Sequence, residues 1–282
     1  VDIGCNDGTL LNGFIRQGVK VLGVDPAKNL QPLSQKNGVE TIVGYFGCDI
    51  AKKIIEKKGQ AAAVTATNVF PHIPKFDDFL AGIDILLQED GIFVLEAHYL
   101  GDLIDHCAFD TIYHEHVSYW SLTAAKTLFN RFGFDVVDII RLPIHHGQLR
   151  LIVQRQGQAI ASRAVKELLD WEELTGLIKL ENLEKFAARV DDIKLQMEKF
   201  FREAKNNGQK IAAYGAPAKG NTLIAFLKLG PDQISYIADK SPLKQGRYTP
   251  GTHIPVVAPE RLLADQPDYV LLLAWNFSDE IM

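Results

Sequence analysis

Short apolar runs alternate with amphipathic stretches over roughly the first 95 residues of the chain. The apolar runs lie near residues 20–25, 40–43, 61–66 and 91–96, and each is separated from the next by a segment with helical spacing. Strands that alternate with helices form βαβ units, whose strands lie parallel in one sheet. The opening "VDIG" has the pattern of the end of one more buried strand. The pattern therefore predicts an α/β domain, and the strand at its start indicates that the natural chain begins earlier.

The pattern changes after residue 120. "SLTAAKTLFNRFG" predicts a helix that ends at Gly133, and "FDVVDIIRL" and "GQLRLIVQRQ" predict two strands that pair antiparallel at the edge of the sheet. Residues 157–207 are charged, contain no proline and repeat apolar residues at helical spacing, so we expect a helical connector closed by Gly208. Apolar runs and amphipathic stretches alternate again over residues 208–282, which predicts a second, smaller Rossmann-like α/β domain there. The first domain is predicted over residues 1–156.

Composition and charge narrow the class of partner. The 282 residues include 47% apolar ones, and the net charge of −5 comes without a Lys/Arg-rich run. We therefore expect a small-molecule partner rather than nucleic acid or a membrane surface, while the oligomeric state stays open. Three well-separated cysteines without a CxxC pair favour neither zinc nor disulfides and fit a reducing cytoplasm. No apolar run approaches the roughly 18 residues that span a bilayer, which predicts a soluble protein.

The first turn, "VDIGCNDGTLL", carries the signs of a nucleotide site. Glycines 4 and 8 allow a sharp turn and close approach of a ligand, and Asp25 ends the next strand, where an acidic residue accepts the hydroxyls of a ribose. The GxGxxG fingerprint is absent, which disfavours an NAD-dependent dehydrogenase; an ordinary βα turn remains the structural alternative. The arrangement resembles class I S-adenosylmethionine (SAM) methyltransferases. The resemblance implies SAM as cofactor, with Asn68, just after the fourth strand, at its methionine part. The candidate contacts are Asp2, Gly4, Asn6, Gly8, Asp25 and Asn68.

The stretch "DTIYHEHVSYW" at residues 110–120 combines two histidines, a carboxylate and three aromatic rings. As an extended strand it would place His114 and His116 on one face; as a loop no such rule applies. A metal site lacks the HExxH spacing, and internally satisfied polar packing remains an alternative. We favour an acid/base cluster, because imidazole titrates near neutrality and a neighbouring carboxylate and phenol can tune it.

A narrower resemblance covers nearly the whole chain. "NVFPHI", "EAHYLGDLIDHCAFDTIYHEHVSYWS", "AAYGAPAKGNTLI" and "SPLKQGRYTPGTHIP" together resemble the nucleotide-sugar C-methyltransferase family, which methylates carbon in 4-keto deoxysugars. The resemblance implies that His116 is the general base, that Glu115 and Tyr113 accompany it, and that His72 donates to the keto oxygen. The family also has an amino-terminal zinc domain with cysteine pairs, which this sequence lacks, so no metal is expected in the present chain.

The family pattern His-Gly-Gly-Ser-Leu-Arg reads here as "HHGQLR" from His145 to Arg150, with bulkier residues in two positions. The change leaves the identity of the sugar open. In the second domain "YGAPAKGN" is not a Walker A loop, yet it offers main-chain N–H groups, a helix N-terminus and one cation, which suit a diphosphate. A structural turn is the alternative. The candidate substrate contacts are His145, Lys219, Gly220, Asn221, Arg247 and Tyr248.

These observations predict a SAM-dependent C-methyltransferase that removes a proton beside a ketone and methylates the resulting enolate carbon. Two alternatives stay open. An O- or N-methyltransferase would use the same cofactor without exchanging a carbon-bound proton, and a non-catalytic nucleotide-sugar binding protein would form no methylated product.

Overall fold

The computed structural model describes residues 1–144 and 147–282, which form two compact units. The first unit comprises Val1–Leu103 and Glu115–Ile178, and the second comprises Ile104–His114 and Lys179–Met282. The segment 157–207, predicted as a connector, divides between them, with one long helix in each unit. The short segment Ile104–His114 belongs to the second unit although its neighbours in sequence belong to the first.

The first unit is built on a seven-stranded sheet within the described residues. Its strands are β1 (Asp2–Ile3), β2 (Gly23–Asp25), β3 (Thr41–Val43), β4 (Ala61–Thr67), β5 (Leu87–His98), β6 (Phe134–Leu142) and β7 (Gln148–Arg155). The order is β3-β2-β1-β4-β5-β7-β6. The first five strands are parallel, whereas β7 is antiparallel to both β5 and β6. The predicted α/β sheet and the predicted antiparallel pair of strands at its edge are confirmed. Strand β7 lies between β5 and β6, so β6 is the outermost strand.

Helices lie between and after the strands of this sheet along the chain. They are α1 (Thr9–Arg16), α2 (Gln31–Lys36), α3 (Cys48–Lys58), α4 (Phe76–Leu86), α5 (Leu100–Asp105), α6 (Leu122–Arg131) and α7 (Arg163–Thr175), with a 3₁₀ turn at Phe70–His72. The last two residues of α5 and a 3₁₀ turn at Phe109–Thr111 belong to the second unit. Phe70 is fully buried and stacks on Phe129 of α6 with ring centroids 5.8 Å apart. The buried carboxylate of Glu172 accepts hydrogen bonds from the backbone N–H groups of Leu122 and Thr123, so α7 caps the start of α6.

The second unit contains its own parallel sheet. Its elements are α8 (Leu180–Asn206), β8 (Ile211–Tyr214), α9 (Ala218–Phe226), β9 (Ile237–Ala238), β10 (Val256–Val257), α10 (Glu260–Asp265), β11 (Tyr269–Leu272), a 3₁₀ turn at Trp275–Phe277 and α11 (Ser278–Ile281). The strand order β10-β9-β8-β11 corresponds to β3-β2-β1-β4 of the first unit. In both sheets the order of the strands thus reverses beside the first strand, and α/β folds of this kind bind their ligands at that position.

No helix in the described part of the chain is both long and apolar enough to cross a membrane.

Candidate active site

The turn after β1 brings its glycines into positions where packing requires them. Gly4 has φ 72°, and a Cβ there would lie 2.4 Å from Cγ2 of Val69. Gly8, at the start of α1, has φ 81°, and a Cβ would lie 2.9 Å from Cγ2 of Val39. Both the left-handed backbone and the close contacts exclude other side chains without rearrangement. The turn is therefore packed closely against Val69, which follows β4, and Val39, which precedes β3.

Asp25 lies at the end of β2 as the sequence predicts. Its Oδ2 accepts a hydrogen bond of 2.9 Å from the backbone N–H of Asn6, and its Oδ1 accepts one of 2.8 Å from the N–H of Ala27. The carboxylate is thus fixed against the β1–α1 turn. Each carboxylate oxygen has further acceptor capacity, so Asp25 can also accept from ribose hydroxyls. This arrangement of an acceptor beside turn amides fits the adenosine part of SAM.

Asp2 has a different environment from Asp25. It is buried within β1, and its Oδ1 accepts a hydrogen bond of 2.6 Å from Oγ1 of Thr65. Burial raises the pKa of Asp2 to about 6, while the hydrogen bond from Thr65 acts in the opposite direction. Thr65 fixes this carboxyl group against β4, and contact of Asp2 with the cofactor stays a prediction.

Asn68 follows β4 in a left-handed conformation with φ 57°. Its backbone N–H donates to the carbonyl oxygen of Glu96 at 3.0 Å, and its side-chain oxygen accepts a hydrogen bond of 2.7 Å from Nε2 of Gln148. The side chain of Asn68 is therefore tied to β7 and its backbone to β5. Asn68, Asp25 and the β1–α1 turn all lie at the carboxyl ends of parallel strands, so they share one edge of the sheet.

Three histidine rings form a cluster in the first unit. The ring of His116 lies 5.0 Å from that of His72 and 5.0 Å from that of His98, measured between centroids. Tyr119 lies 6.3 Å from His116. His98 ends β5, so the cluster is beside the same sheet edge as Asn68. The structure thus brings His116 and His72 together, and their acid/base roles stay a prediction.

The hydrogen bond of His72 defines which of its nitrogens carries a proton. Nδ1 lies 2.8 Å from the backbone carbonyl oxygen of Glu115. A carbonyl only accepts, so Nδ1 must donate, and Nε2 of the neutral ring is then an acceptor. Donation from His72 to a keto oxygen therefore requires the imidazolium form. In that form the ring would also place a positive charge beside an oxygen that becomes negative.

His98 was not among the residues predicted from the sequence. His98 lies at the end of a central strand, two residues after the buried Glu96 and on the same face of the sheet. This position is the sequence feature that could have indicated His98 as a site residue. Glu96 is itself paired with Arg150, whose Nε donates to Oε1 at 2.6 Å. Polar residues at the end of a strand do not by themselves indicate a site. Here they do so because His116 packs against His98 in the folded chain.

The stretch around Tyr113 is a turn and loop rather than a strand. The side chain of Glu115 is exposed, and its backbone carbonyl accepts from His72. Tyr113 belongs to the second unit, where its ring lies 6.2 Å from that of His114. The roles of Glu115 and Tyr113 remain predictions. Within residues 1–144 and 147–282, no group of three or more His, Cys, Asp or Glu side chains is arranged to hold a metal ion.

In the second unit, Lys219 lies in the first turn of α9 and faces a buried acid. Its Nζ is 3.8 Å from Oδ2 of Asp110 and 4.5 Å from the ring centroid of Trp275, whose Nε1 donates to the same Oδ2 at 2.7 Å. Burial raises the pKa of Asp110 and lowers that of Lys219, and the attraction between them opposes both shifts. Lys219 is therefore a desolvated cation that Asp110 holds at the start of α9.

The other predicted substrate contacts of this unit surround α9 and the loop after β9. Gly220 is buried, and a Cβ there would lie 3.1 Å from Cβ of Leu273, so this glycine serves packing. Asn221 is half-buried, while Arg247 and Tyr248 are exposed. Binding by these residues stays a prediction. His145, predicted to contact substrate, lies outside the described residues.

The sequence was compared with family models and with known proteins. Residues 143–282 match the family model described as the C-methyltransferase C-terminal domain, and residues 1–139 match a model described as a methyltransferase domain. C-methyltransferase NovU of Streptomyces niveus is 38% identical over 283 residues, which cover 100% of this chain and 67% of that protein.

Two solved structures align with 55% of this chain. A SAM-dependent methyltransferase from Anabaena variabilis is 16% identical with a TM-score of 0.43, over 76% of its own chain. Magnesium protoporphyrin IX methyltransferase from Synechocystis, with bound S-adenosylhomocysteine (SAH), is 16% identical with a TM-score of 0.42, over 73% of its chain. The sheet order and the two family models, rather than these distant alignments, support the class I SAM methyltransferase fold. The chain belongs to the C-methyltransferase family and is a SAM-dependent C-methyltransferase.

Proposed function

We propose that the protein methylates a carbon next to the ketone of a nucleotide-linked 4-keto deoxysugar. The observation that carries this proposal is the position of the His72–His116–His98 cluster beside the sheet edge that bears Asn68. A methyl acceptor held there would lie between a group of imidazoles and the expected methionine end of the cofactor. O- or N-methylation needs one base, whereas a carbon acceptor also needs its developing enolate stabilised, and a second imidazole meets that need.

The residues divide the reaction between them. His116 takes the proton from the carbon beside the ketone, and the electron pair of that C–H bond passes into the enolate. His72, as imidazolium, donates from Nε2 to the enolate oxygen while Nδ1 remains bound to the carbonyl of Glu115. SAM, when bound, supplies the electrophilic methyl group that the enolate carbon takes. Asp25 and Asn68 orient the cofactor, and the proton on His116 leaves to solvent before the next turnover.

Features within the second unit support binding of the nucleotide there. Asp239 follows β9, and its carboxylate accepts from the N–H groups of Ala216 at 2.7 Å and Ser241 at 2.8 Å. Asp25 makes the corresponding pair of contacts after β2 of the first unit. A cleft of about 330 Å³ beside α9 has a size that accommodates a nucleobase. Its lining is mainly apolar and includes Phe109, Phe186, Val190, Asp191, Thr222 and Phe226.

Lys219 at the start of α9 is placed to bind a diphosphate, because an anion there is attracted both by the cation and by the positive end of the helix dipole. The diphosphate would compete with Asp110 for this cation. The side chain of Lys219 is only 12% exposed, so it would interact with an anion more strongly than a fully exposed lysine does.

Proton exchange followed by methyl transfer tests the proposed reaction. A panel of nucleotide-linked 4-keto sugars is incubated with the protein in D2O, first with SAH and then with SAM, and analysed by mass spectrometry. We expect deuterium uptake beside the ketone of the true substrate, and then a methyl group on the same carbon. Methyl gain on oxygen or nitrogen without prior deuterium uptake would contradict carbon methylation. Binding of the sugar with no product under any condition would favour a binding protein.

Replacing His98 tests whether its imidazole takes part in this chemistry. His98→Phe keeps an aromatic ring against His116 but removes both ring nitrogens. We expect kcat to fall about tenfold, less than the roughly 10²–10⁴-fold typical for loss of the general base itself. The KM for SAM should stay near that of the wild type. His106→Phe, at an exposed position in the second unit, is the matched control. A kcat that survives in His98→Phe but falls in His98→Ala would assign His98 a packing role only.

A further inference from the structure

Gln148 is a fully buried side chain that reaches a predicted cofactor contact. It is the first residue of β7 and lies opposite His98 in the antiparallel ladder. Its Nε2 donates a hydrogen bond of 2.7 Å to Oδ1 of Asn68, which is 80 residues away in sequence. Gln148 therefore holds the side chain of Asn68 from the interior of the sheet.

The other end of the Gln148 amide has a different environment. Its Oε1 is buried and has no hydrogen-bond partner among the described residues. A buried acceptor without a donor destabilises the folded state, and an apolar side chain of similar length would avoid that cost. Asn68 is only half-buried and can be hydrated when the bond is lost. The hydrogen bond from Nε2 of Gln148 to Asn68 is thus the reason for a glutamine, rather than an apolar residue, at this position.

The bond from Gln148 fixes the direction of the Asn68 amide. Because Oδ1 of Asn68 accepts from Gln148, the NH₂ group of Asn68 is the end that can serve a ligand. The methionine part of SAM ends in an α-carboxylate, which only accepts hydrogen bonds, and an α-ammonium, which only donates them, so the NH₂ group of Asn68 can bind only the carboxylate. An Asn68 side chain turned the other way would place its oxygen against that carboxylate, and two acceptors would repel each other.

We propose that Gln148 is a positioning residue for the cofactor: it orients Asn68 so that the Asn68 amide donates to the α-carboxylate of SAM. The inference rests on the proposed contact between Asn68 and the methionine part of the cofactor. Neither residue takes part in proton transfer.

Two substitutions of Gln148 separate orientation from packing. Gln148→Met removes the donor, and we expect SAH to bind roughly threefold more weakly with a melting temperature that is unchanged or higher. Gln148→Glu, when ionised, can only accept, so it attracts the Asn68 NH₂ group and turns its oxygen toward the ligand; we expect a loss of about tenfold or more. Gln154→Met and Gln154→Glu, at the other end of β7, are the controls.

A ligand without the carboxylate distinguishes this role from a general disturbance of the site. 5′-Methylthioadenosine shares the adenosine part of SAH but has no amino acid part, so its affinity should be the same in wild type and in both Gln148 variants. Calorimetry with both ligands gives the comparison. Asn68→Asp provides a second test that does not alter the interior: with Gln148 bound to one carboxylate oxygen, the other faces SAH, which should bind more weakly while 5′-methylthioadenosine binds as before.

The outcomes separate failure of this inference from failure of the proposed contact. If Asn68→Ala leaves SAH affinity unchanged, Asn68 does not contact the cofactor and both ideas fall. If Asn68→Ala weakens SAH but Gln148→Glu and Asn68→Asp do not, the contact stands and the orienting role of Gln148 is wrong. Equal losses for SAH and 5′-methylthioadenosine would also overturn the orienting role, because they would show a general change in the pocket.

Discussion

His116→Ala is expected to abolish methyl transfer while leaving SAH affinity within about twofold of the wild type. Loss of a general base typically lowers the rate by about 10²–10⁴-fold, and the enolate cannot form without proton removal. The expected loss in kcat should be matched by an equal loss in the rate of deuterium uptake in the presence of SAH. Calorimetry with SAH and mass spectrometry of the exchanged sugar measure the two quantities separately.

The control for this experiment is His106→Ala, which removes an exposed imidazole from the second unit. It should retain exchange and turnover. Normal deuterium uptake in His116→Ala would move the base elsewhere, with His72 and His98 as the nearest alternatives at 5.0 Å from the His116 ring. Loss of SAH binding together with turnover would indicate that His116 maintains the shape of the pocket rather than the proton transfer.

Asp25→Asn is expected to weaken SAH by about 10–100-fold, because hydrogen bonds to a charged acceptor contribute about 1.5–3 kcal/mol. The amide has one acceptor oxygen, so it cannot serve the N–H groups of Asn6 and Ala27 together, and its NH₂ would face one of these donors. The β1–α1 turn should loosen, and the free energy of unfolding should fall by about 1–3 kcal/mol. Calorimetry measures the affinity and denaturant titration measures the stability.

Asp239→Asn offers a control with the same local geometry in the second unit. Its carboxylate also accepts two backbone N–H groups, so the local loss of stability should be similar. SAH affinity should stay unchanged, because the proposed cofactor site lies in the first unit. Unchanged SAH affinity in Asp25→Asn would refute the assignment of Asp25 to the ribose, whereas weaker SAH binding in Asp239→Asn would show that the second unit also influences the cofactor.

Much of the fold was predictable because its signals are local. The strand β6 (Phe134–Leu142) has the bounds of the apolar run "FDVVDIIRL", and α6 ends two residues before the predicted stop at Gly133. Gly133 adopts φ 76°, a conformation that glycine reaches without strain, so a helix stop can be recognised from the sequence. The division of the region 157–207 was not predictable, since helical spacing identifies a buried face but not the unit against which it packs.

The candidate site was predictable only where a motif keeps its residues adjacent in sequence. His116 and Glu115 lie in one such motif, and Asp25 ends a predicted strand. Gln148 joins the site because β7 inserts between β5 and β6, and His98 joins it because His116 packs against the end of β5. No local pattern specifies either arrangement. Likewise, the Asp110–Lys219 pair joins residues 109 positions apart, and a charged residue in a helical or loop pattern gives no indication of so distant a partner.

By itself the sequence determined the alternating α/β elements, the nucleotide-type turn at Gly4 and the family resemblance of the Tyr-His-Glu-His motif. These depend on backbone conformation and hydrophobic periodicity over a few residues, which the chain carries locally. The tertiary structure alone decided that His98 packs on His116, that Gln148 fixes the direction of the Asn68 amide, and that Asp110 holds Lys219. Those contacts join distant segments, and only the burial of both sheets brings them within the few ångströms over which hydrogen bonds and ring contacts act.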